Sequence, residues 1–462
     1  MTSAVARSPL CLSLERQVRD RGRLQAIHSE ADRRSLTFAQ LGERVRAWAE
    51  GLRKAGVQAG EMVSIALGNI PAFAELFFAL RLLDAGALLV DEGNASVSAK
   101  MGASWVLRRD AGAAMDGGPD PEVKLSALRA ETTAPAGTAL IKLTSGSTLA
   151  PRGACFTEEA LVEGIDHILK GMEITADDRV LVSIPLSHGY GFDNGVLSLA
   201  VGGTPLILQS DILPGALLRS LREHGITFFP AVPALIRALG QVAWPKGLPL
   251  SRVISASAPL SRDAAEAFRR ASGLPVGQFF GSTETGGISF ESRPDDPSAE
   301  GCVGFPLPGV RIELADGGAV RVHSKANRFA VMPEQAVPSY VETGDRASWS
   351  PEGRLKLEGR ATLVANVGGL KVDLGALDAF FRALPGVDEA AVLPVDDPAA
   401  GHRVVAYVET SSWTEERLLQ VCREKLSARE IPGEIRVTPR LPRNARGKLD
   451  RGALGSLERG GC

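Results

Sequence analysis

The sequence predicts an α/β fold: a large N-terminal domain of layered α/β sheets, a small antiparallel β subdomain and a small α+β C-terminal domain. Three observations carry this. Apolar strands alternate with amphipathic helices as far as Gly304, short strands joined by Gly, Asp and Asn turns follow, and the texture changes again after Arg360. The chain has 462 residues, enough for two or three domains and a large buried core. A boundary at 360–362 gives an N-terminal domain over 1–360 and a C-terminal domain over 361–462, the latter of ordinary small-domain size.

The elements follow in order. From Leu36 to Gly56, Phe38, Leu41, Val45, Trp48 and Leu52 recur at three- and four-residue steps, one apolar face of a helix. EMVSIAL is then a strand, PAFAELFFALRLLDAG a helix and ALLV a strand. The β-α-β order recurs through RVLVSIP, a helix after Phe192, TPLIL, a helix after Leu213, TFFPA, RVISAS and VGQFFG, which predicts largely parallel sheets. GVRIELADGGAVRVHS and GRLKLEGR are antiparallel strands. The tail holds helices near Leu374–Leu384 and Glu415–Leu426 and strands near Ala390–Leu393 and Arg403–Val408.

Charge and cysteine usage narrow the function classes. Lys and Arg total 52 against 54 Asp and Glu, a formal charge of −2, which excludes bulk attraction to nucleic acid or anionic membrane. The five cysteines are scattered with no metal-type pair, and no apolar run reaches membrane-spanning length. The expectation is a cytoplasmic protein with reduced thiols.

Chemistry enters at LIKLTSGSTLAPRG, Leu140 to Gly153, an apolar strand breaking into a hydroxyl- and glycine-rich loop. The loop lacks the Walker A spacing, so alone it is either a phosphate cradle or a polar turn between two strands. PLSHGYG (Pro185–Gly191), QFFGSTETGG (Gln278–Gly287), ETGD (Glu342–Asp345), GRATLVANVGGLKV (Gly359–Val372) and PRNARGKLDR (Pro442–Arg451) follow it. In this order, together with the stretch from LTFAQLGERV to VSIALGN, the series resembles the adenylate-forming (AMP-binding) superfamily of acyl-CoA synthetases, aryl-CoA ligases, adenylation domains and luciferases over almost the whole chain.

The resemblance implies a two-step reaction. A carboxylate attacks the α-phosphorus of ATP to give an acyl-adenylate and pyrophosphate, and a thiol then attacks the acyl carbon. The substrates and cofactors implied are ATP, Mg2+ and coenzyme A, or the phosphopantetheine of a separate acyl carrier protein. By resemblance Thr144, Ser145, Gly146, Ser147, Thr148 and Arg152 hold the β- and γ-phosphates, Arg152 standing where relatives have Lys. Glu284 binds Mg2+, Thr283 contacts the α-phosphate or the acyl carboxylate, and Phe280 lies near adenine with Gly281, Ser282 and Ser257 beside the nucleotide. Asp345 accepts the ribose hydroxyls and Arg360 donates to sugar or phosphate. Lys448 enters the site during adenylation to neutralise the reacting anions, and His188 positions substrate. Thr362 is the hinge of a C-terminal domain that swings between the steps, and Gly368 and Gly369 shape the thiol channel. Taken singly, each residue has a plainer reading: a loop acid, a core ring, a surface turn or a basic tail.

This chain also departs from the family pattern. Leu149 replaces a glycine, and if that position needs positive φ it costs on the order of 1–3 kcal/mol. Phe280 stands for Tyr, Ser187 for an aromatic, and Thr362 for Asp or Lys. The segment between Val90 and Thr138 is short for the family.

Tyr190, Phe192, Asn194, Ser255, Ala256, Ser257 and Gly286 are the expected acyl-pocket residues. Relatives that activate amino acids carry an acid for the amine. Asp193 is displaced from that slot, which Tyr190 fits better, so an aryl or fatty acid is expected. Three readings stand: an acid–CoA ligase, an enzyme loading a separate carrier protein, and a homologue that binds nucleotide or acyl groups without turnover. Retention of Glu284, Asp345, Arg360 and Lys448 argues against the third.

Overall fold

The computed structural model describes residues 8–92, 97–110, 118–144, 152–293, 301–332, 337–360, 364–367, 370–397, 401–426, 430–444 and 447–459. The loop residues Ser145, Gly146, Ser147, Thr148 and Leu149, the hinge residue Thr362, and Gly368 and Gly369 lie outside them.

Two sheets form the bulk of the described chain. The first runs, in spatial order, Phe305–Pro306, Gly286–Glu291, Gly277–Ser282, Arg252–Ser255, Phe228–Ala231, Val180–Val182, Leu206–Leu208, Gln25–Ser29 and Arg34–Thr37. The second runs Ala330–Met332, Arg152–Phe156, Leu140–Thr144, Gly86–Leu89, Met62–Ala66, Ala103–Arg109 and Val123–Ala127. Their central strands are parallel, whereas the flanks are not. Arg152–Phe156 pairs antiparallel with Leu140–Thr144, and Gly286–Glu291 antiparallel with Gly277–Ser282. The physical reason is connection length. A parallel crossover needs a dozen or more residues, and the chain between these neighbours is far shorter.

The helix Pro71–Leu82 is buried from Pro71 through Arg81 and packs on strands of both sheets, so its apolar character all round is that of a core helix. The helix Phe38–Lys54 carries the predicted apolar stripe. A capping box closes its start: Thr37 Oγ1 accepts from Gln40 N at 3.2 Å and Gln40 Oε1 accepts from Thr37 N at 2.9 Å. Thr157 caps the helix Glu158–Gly171, whose buried Glu158 pairs with Arg81 at 3.3 Å and accepts from the Leu10 amide.

The antiparallel subdomain is the sheet Arg311–Leu314, Ala319–His323, Val341–Trp349 and Leu355–Arg360. Beyond it, Leu370–Asp373, Val364–Val367, Gly401–Thr410 and Val387–Asp397 make another sheet, with Glu434–Thr438 parallel to Gly401–Thr410. This unit has its own core of Leu377, Phe381, Val392, Ala406, Val408, Leu418 and Cys422. It touches the first sheet's helices where Arg237 donates to the Asp388 carbonyl at 2.7 Å and the Gly386 amide donates to Asp263 at 3.2 Å. Among the described residues no helix is long and apolar enough to cross a membrane.

Candidate active site

The site grows from the hairpin turn Thr283–Glu284–Thr285 between Gly277–Ser282 and Gly286–Glu291. An apolar strand carries the chain to this edge, and the turn is locked from inside. The buried Thr285 hydroxyl lies 3.1 Å from Ser282 Oγ and donates to the Gly286 carbonyl at the same distance. Gly286 has φ +69°, where a side chain is strained, and a Cβ on Gly281 would meet the Gly286 carbonyl oxygen at 2.5 Å. The turn therefore holds Glu284 at the end of the strands, where ligands of open α/β sheets lie.

Two arginines share this end of the molecule. Arg152 opens the strand that follows the hydroxyl loop, and Thr144 closes the strand that precedes it. Arg328 donates its backbone N–H to the Glu284 carbonyl at 2.8 Å. Its guanidinium is pushed below its ordinary proton affinity first by burial, with Glu284 opposing and Arg152 adding to the shift. Arg328 Nε and Nη1 are buried with no hydrogen-bond partner among the described residues. Buried donors of this kind are rare in folded proteins, and a polyanion would satisfy them.

On the other side of the turn lies a pocket of about 220 Å³ of empty space, lined by Lys142, Phe156, Ala160, Leu161, Gly164, Ile165, Asp193 and Leu197 with Thr285, Gly286 and Ala326. Of the expected acyl-pocket residues, Gly286 lines it directly. Phe192 is fully buried, edge-on to Phe77 at 4.8 Å between ring centroids. The Tyr190 hydroxyl donates to the Ala231 carbonyl at 3.3 Å, and burial holds its phenol well above the usual range. Asn194 Oδ1 and Ser255 Oγ are buried without a hydrogen-bond partner among the described residues.

His188 heads the short helix Gly189–Phe192 and accepts from the Tyr190 amide at 3.3 Å. Asn69 anchors the preceding segment, donating to the Ile184 carbonyl and accepting from the Leu186 amide. Ser187, in place of an aromatic, donates to Asp91. Immediately after, Asp193–Leu197 forms a π-helical turn that the sequence does not signal. Such turns are rare and frequent at functional sites.

A second cleft, about 430 Å³ of empty space, brings Lys448 and Gly447 together with Ser257, Ala258, Pro259, Val232, Arg237 and Arg443. Ser257 has φ +75°, uncommon for a residue with a side chain and typical of strained functional positions. Asn444 and Lys448 close the loop on each other: the Asn444 amide donates to the Lys448 carbonyl at 2.8 Å and Asn444 Oδ1 accepts from the Lys448 amide at 3.1 Å. Asp345 follows Gly344 (φ +75°), donates its amide N–H to Thr343 Oγ1 at 3.1 Å, and stands opposite Arg360 in the antiparallel ladder. The side chain of Arg360 is outside the described set. Phe280 is half-buried against the core.

The AMP-binding enzyme family model matches residues 14–95 and 89–325, and the AMP-binding enzyme C-terminal domain model matches 376–448. The chain belongs to the AMP-binding enzyme family. A feruloyl-CoA synthase of Amycolatopsis is 27% identical over 469 residues, covering 91% of this chain and 93% of the relative. An oxalate–CoA ligase of Arabidopsis thaliana is 24% identical over 483 residues, covering 90% and 92%. The o-succinylbenzoate CoA synthetase of Bacillus subtilis, solved with its acyl-adenylate intermediate, superposes with a TM-score of 0.81 at 22% identity over 96% of this chain and 97% of that one.

Lys142, which lines the pocket, and Arg328, which bonds the Glu284 carbonyl, are not singled out by the motif order. Lys142 has a signal in hindsight, a lone charge within an otherwise apolar strand of a layered fold; Arg328, in SKANRFAVM, has none.

Proposed function

We propose that this AMP-forming acid–CoA ligase acts on an aryl carboxylic acid, with Glu284, Arg152 and Arg328 holding the phosphate end of ATP. The observation that carries the reading is the turn at Thr283–Thr285, where Glu284 and Arg152 both act on the Arg328 charge while Thr285 and Gly286 line the neighbouring pocket. The feruloyl-CoA synthase and coumarate–CoA ligase relatives, matched over most of this chain, favour an aryl acid over a long alkyl chain. The acid's carboxylate would then meet the α-phosphate at Thr283.

Glu284 offers a hard carboxylate oxygen of the kind Mg2+ takes beside phosphate oxygens. The bound Mg2+ would supply charge neutralisation on the phosphates. Arg328 would satisfy its two orphan donors on phosphate oxygens, and Arg152 would add a second forked donor. Lys448, from the Ser257 cleft, would neutralise the anions that adenylation brings together. Asp345 would hold the ribose.

ATP–pyrophosphate exchange against aryl, fatty and amino acids tests this. Exchange with aryl acids, followed by CoA-dependent AMP release, is expected. Exchange confined to long fatty or amino acids overturns the substrate class, and AMP release only with a phosphopantetheinylated carrier overturns the acceptor.

A further inference from the structure

We propose that His28, Glu30 and His224 form a binding site for one divalent cation of the Zn2+ class, which would staple an edge of the first sheet to the helix that covers it. The Glu284 turn joins Gly277–Ser282 to Gly286–Glu291 near one edge of that sheet, whereas Gln25–Ser29 and Arg34–Thr37 form the other. The cluster is therefore separate from the site read as a ligase.

Strand period puts two of the three residues on one face. His28 pairs with Ile207, and the ladder runs on as the Glu30 amide donates to the Leu208 carbonyl at 3.0 Å, so the side chains at 28 and 30 point the same way. On this face Ile207 packs with Leu217 and Leu221 of the helix Pro214–Glu223. His224 directly follows that helix. Its amide donates to the Ser220 carbonyl at 3.1 Å and its carbonyl accepts from Arg179 at 3.4 Å, which fixes its backbone. Glu30 and His224 thus meet across 194 positions of chain.

The geometry is that of a ligand set. His28 Nε2 lies 3.4 Å from Glu30 Oε1, His224 Nε2 contacts the same oxygen, and the three ligand atoms lie within 4.8 Å of one another. Ligand atoms on a tetrahedral Zn2+ stand about 3.4 Å apart. The two imidazole centroids are 4.4 Å apart. His28 Nδ1 is 2.7 Å from the hydroxyl of Ser35, its opposite number in the antiparallel ladder. The tautomer that donates Nδ1–H to Ser35 leaves the Nε2 lone pair facing Glu30, which is how an outer partner orients a metal-bound imidazole. The three side chains are 13%, 22% and 17% exposed, so solvent reaches the remaining position.

The donor set selects the ion. Two imidazole nitrogens and one carboxylate suit Zn2+, Co2+ or Ni2+, whereas Mg2+ and Ca2+ take oxygen ligands. Two protonated imidazoles at this spacing would repel each other over one carboxylate; a dication gives all three groups a common partner. Burial and then His224 hold the His28 proton affinity below its ordinary value, with Glu30 opposing, which favours the neutral ring that a metal takes. Arg33 adds to that shift, and its exposure lets solvent screen its charge from a bound cation.

The full chain, stripped of metal by a chelator, is titrated with Zn2+ alone by calorimetry and with Co2+ alone by visible absorption. One Zn2+ per chain is expected, with Co2+ bands that Zn2+ abolishes and excess Mg2+ does not, and a Tm that climbs with Zn2+ concentration. His28→Gln/His224→Gln should lose both the Zn2+ binding and the bands. Ser35→Ala, which keeps all three ligands, should weaken Zn2+ about tenfold. No Co2+ bands in the folded wild type overturns the proposal and leaves a hydrogen-bonded His–Glu–His cluster. Bands that Mg2+ displaces, or that persist unchanged in the double variant, overturn it as well, the latter placing the ion elsewhere on the chain. Should the double variant not fold, Glu30→Gln and Ser35→Ala carry the test, and Zn2+ affinity unaltered in both overturns the site.

Discussion

Two buried ion pairs in this molecule look alike by distance and differ in everything around them. Arg354 Nε lies 2.8 Å from Glu291 Oε2, and both side chains are almost fully buried. The guanidinium sits over the Phe305 ring at 5.3 Å, and Glu291 also accepts from the Arg293 amide at 2.7 Å. Glu291 ends a strand of the first sheet, and Arg354 immediately precedes Leu355–Arg360 of the antiparallel subdomain. That pair is closed over and ties two sheets together. Lys142–Asp193, with Nζ 2.7 Å from Oδ1, lines the pocket that Thr285 and Gly286 of the Glu284 turn also line. A buried pair roofed over by two sheets acts as a fastener, and the pair beside the pocket is its contrast.

Arg354→Met should therefore produce the largest stability change. It strands Glu291 in the interior, and breaking a buried pair from one side costs about 3–5 kcal/mol. The urea midpoint should drop accordingly while the preference among acids stays as in the wild type. A loss below about 1 kcal/mol would show that this pair is not a fastener, and the contrast would collapse. Lys448 extends the comparison to a cation that we propose meets the substrate. Lys448→Ala should lower pyrophosphate exchange about a hundredfold or more, near 2.7 kcal/mol of transition-state stabilisation, with little change in the unfolding midpoint. Arg328 is a third kind, a half-buried guanidinium with two donors that find no partner among the described residues. Arg328→Gln should raise the KM for ATP about tenfold, the worth of one charge-assisted bond, without destabilising the fold, because it removes an unsatisfied group. A midpoint that falls with an unaltered KM would make Arg328 structural.

The features that could be read in advance are those in which local pattern and tertiary role agree. The helix at Phe38–Lys54 announces itself by apolar spacing and by Thr37 three residues before Gln40. The Glu284 turn does so by an apolar strand ending in small and hydroxyl residues. The antiparallel partner of Leu140–Thr144 was hidden because alternation of strands and helices favours a parallel reading, and only the length of the connection argues otherwise. Lys142 was hidden by period. In Leu140–Thr144 it alternates with Ile141 and Leu143, as an outward-facing residue of a half-exposed strand does, yet here both faces are covered. Its partner lies 51 residues away on a π-turn that no propensity encodes. Arg328 likewise acquires its meaning only from Glu284 and Arg152, which reach it through the fold.

The smallest effect is also the one that separates the two pairs by titration. Burial raises the folded-state proton affinity of Asp193 above the ordinary value of 3.8, and Lys142 only partly offsets it. Over the window from that value up to the raised one, the folded chain holds a proton that the unfolded chain has lost. Stability contributed by this group therefore falls as pH rises through the window. Lys142→Met/Asp193→Leu abolishes the titration, so the urea midpoint measured between pH 4 and pH 7 should slope down less steeply, or up more steeply, than in the wild type. At neutral pH its stability should equal or exceed the wild type's, since a buried pair replaced whole by apolar side chains is commonly neutral or stabilising. If the paired variant instead lost several kcal/mol at neutral pH with an unchanged slope, Lys142–Asp193 would be a fastener like Arg354–Glu291.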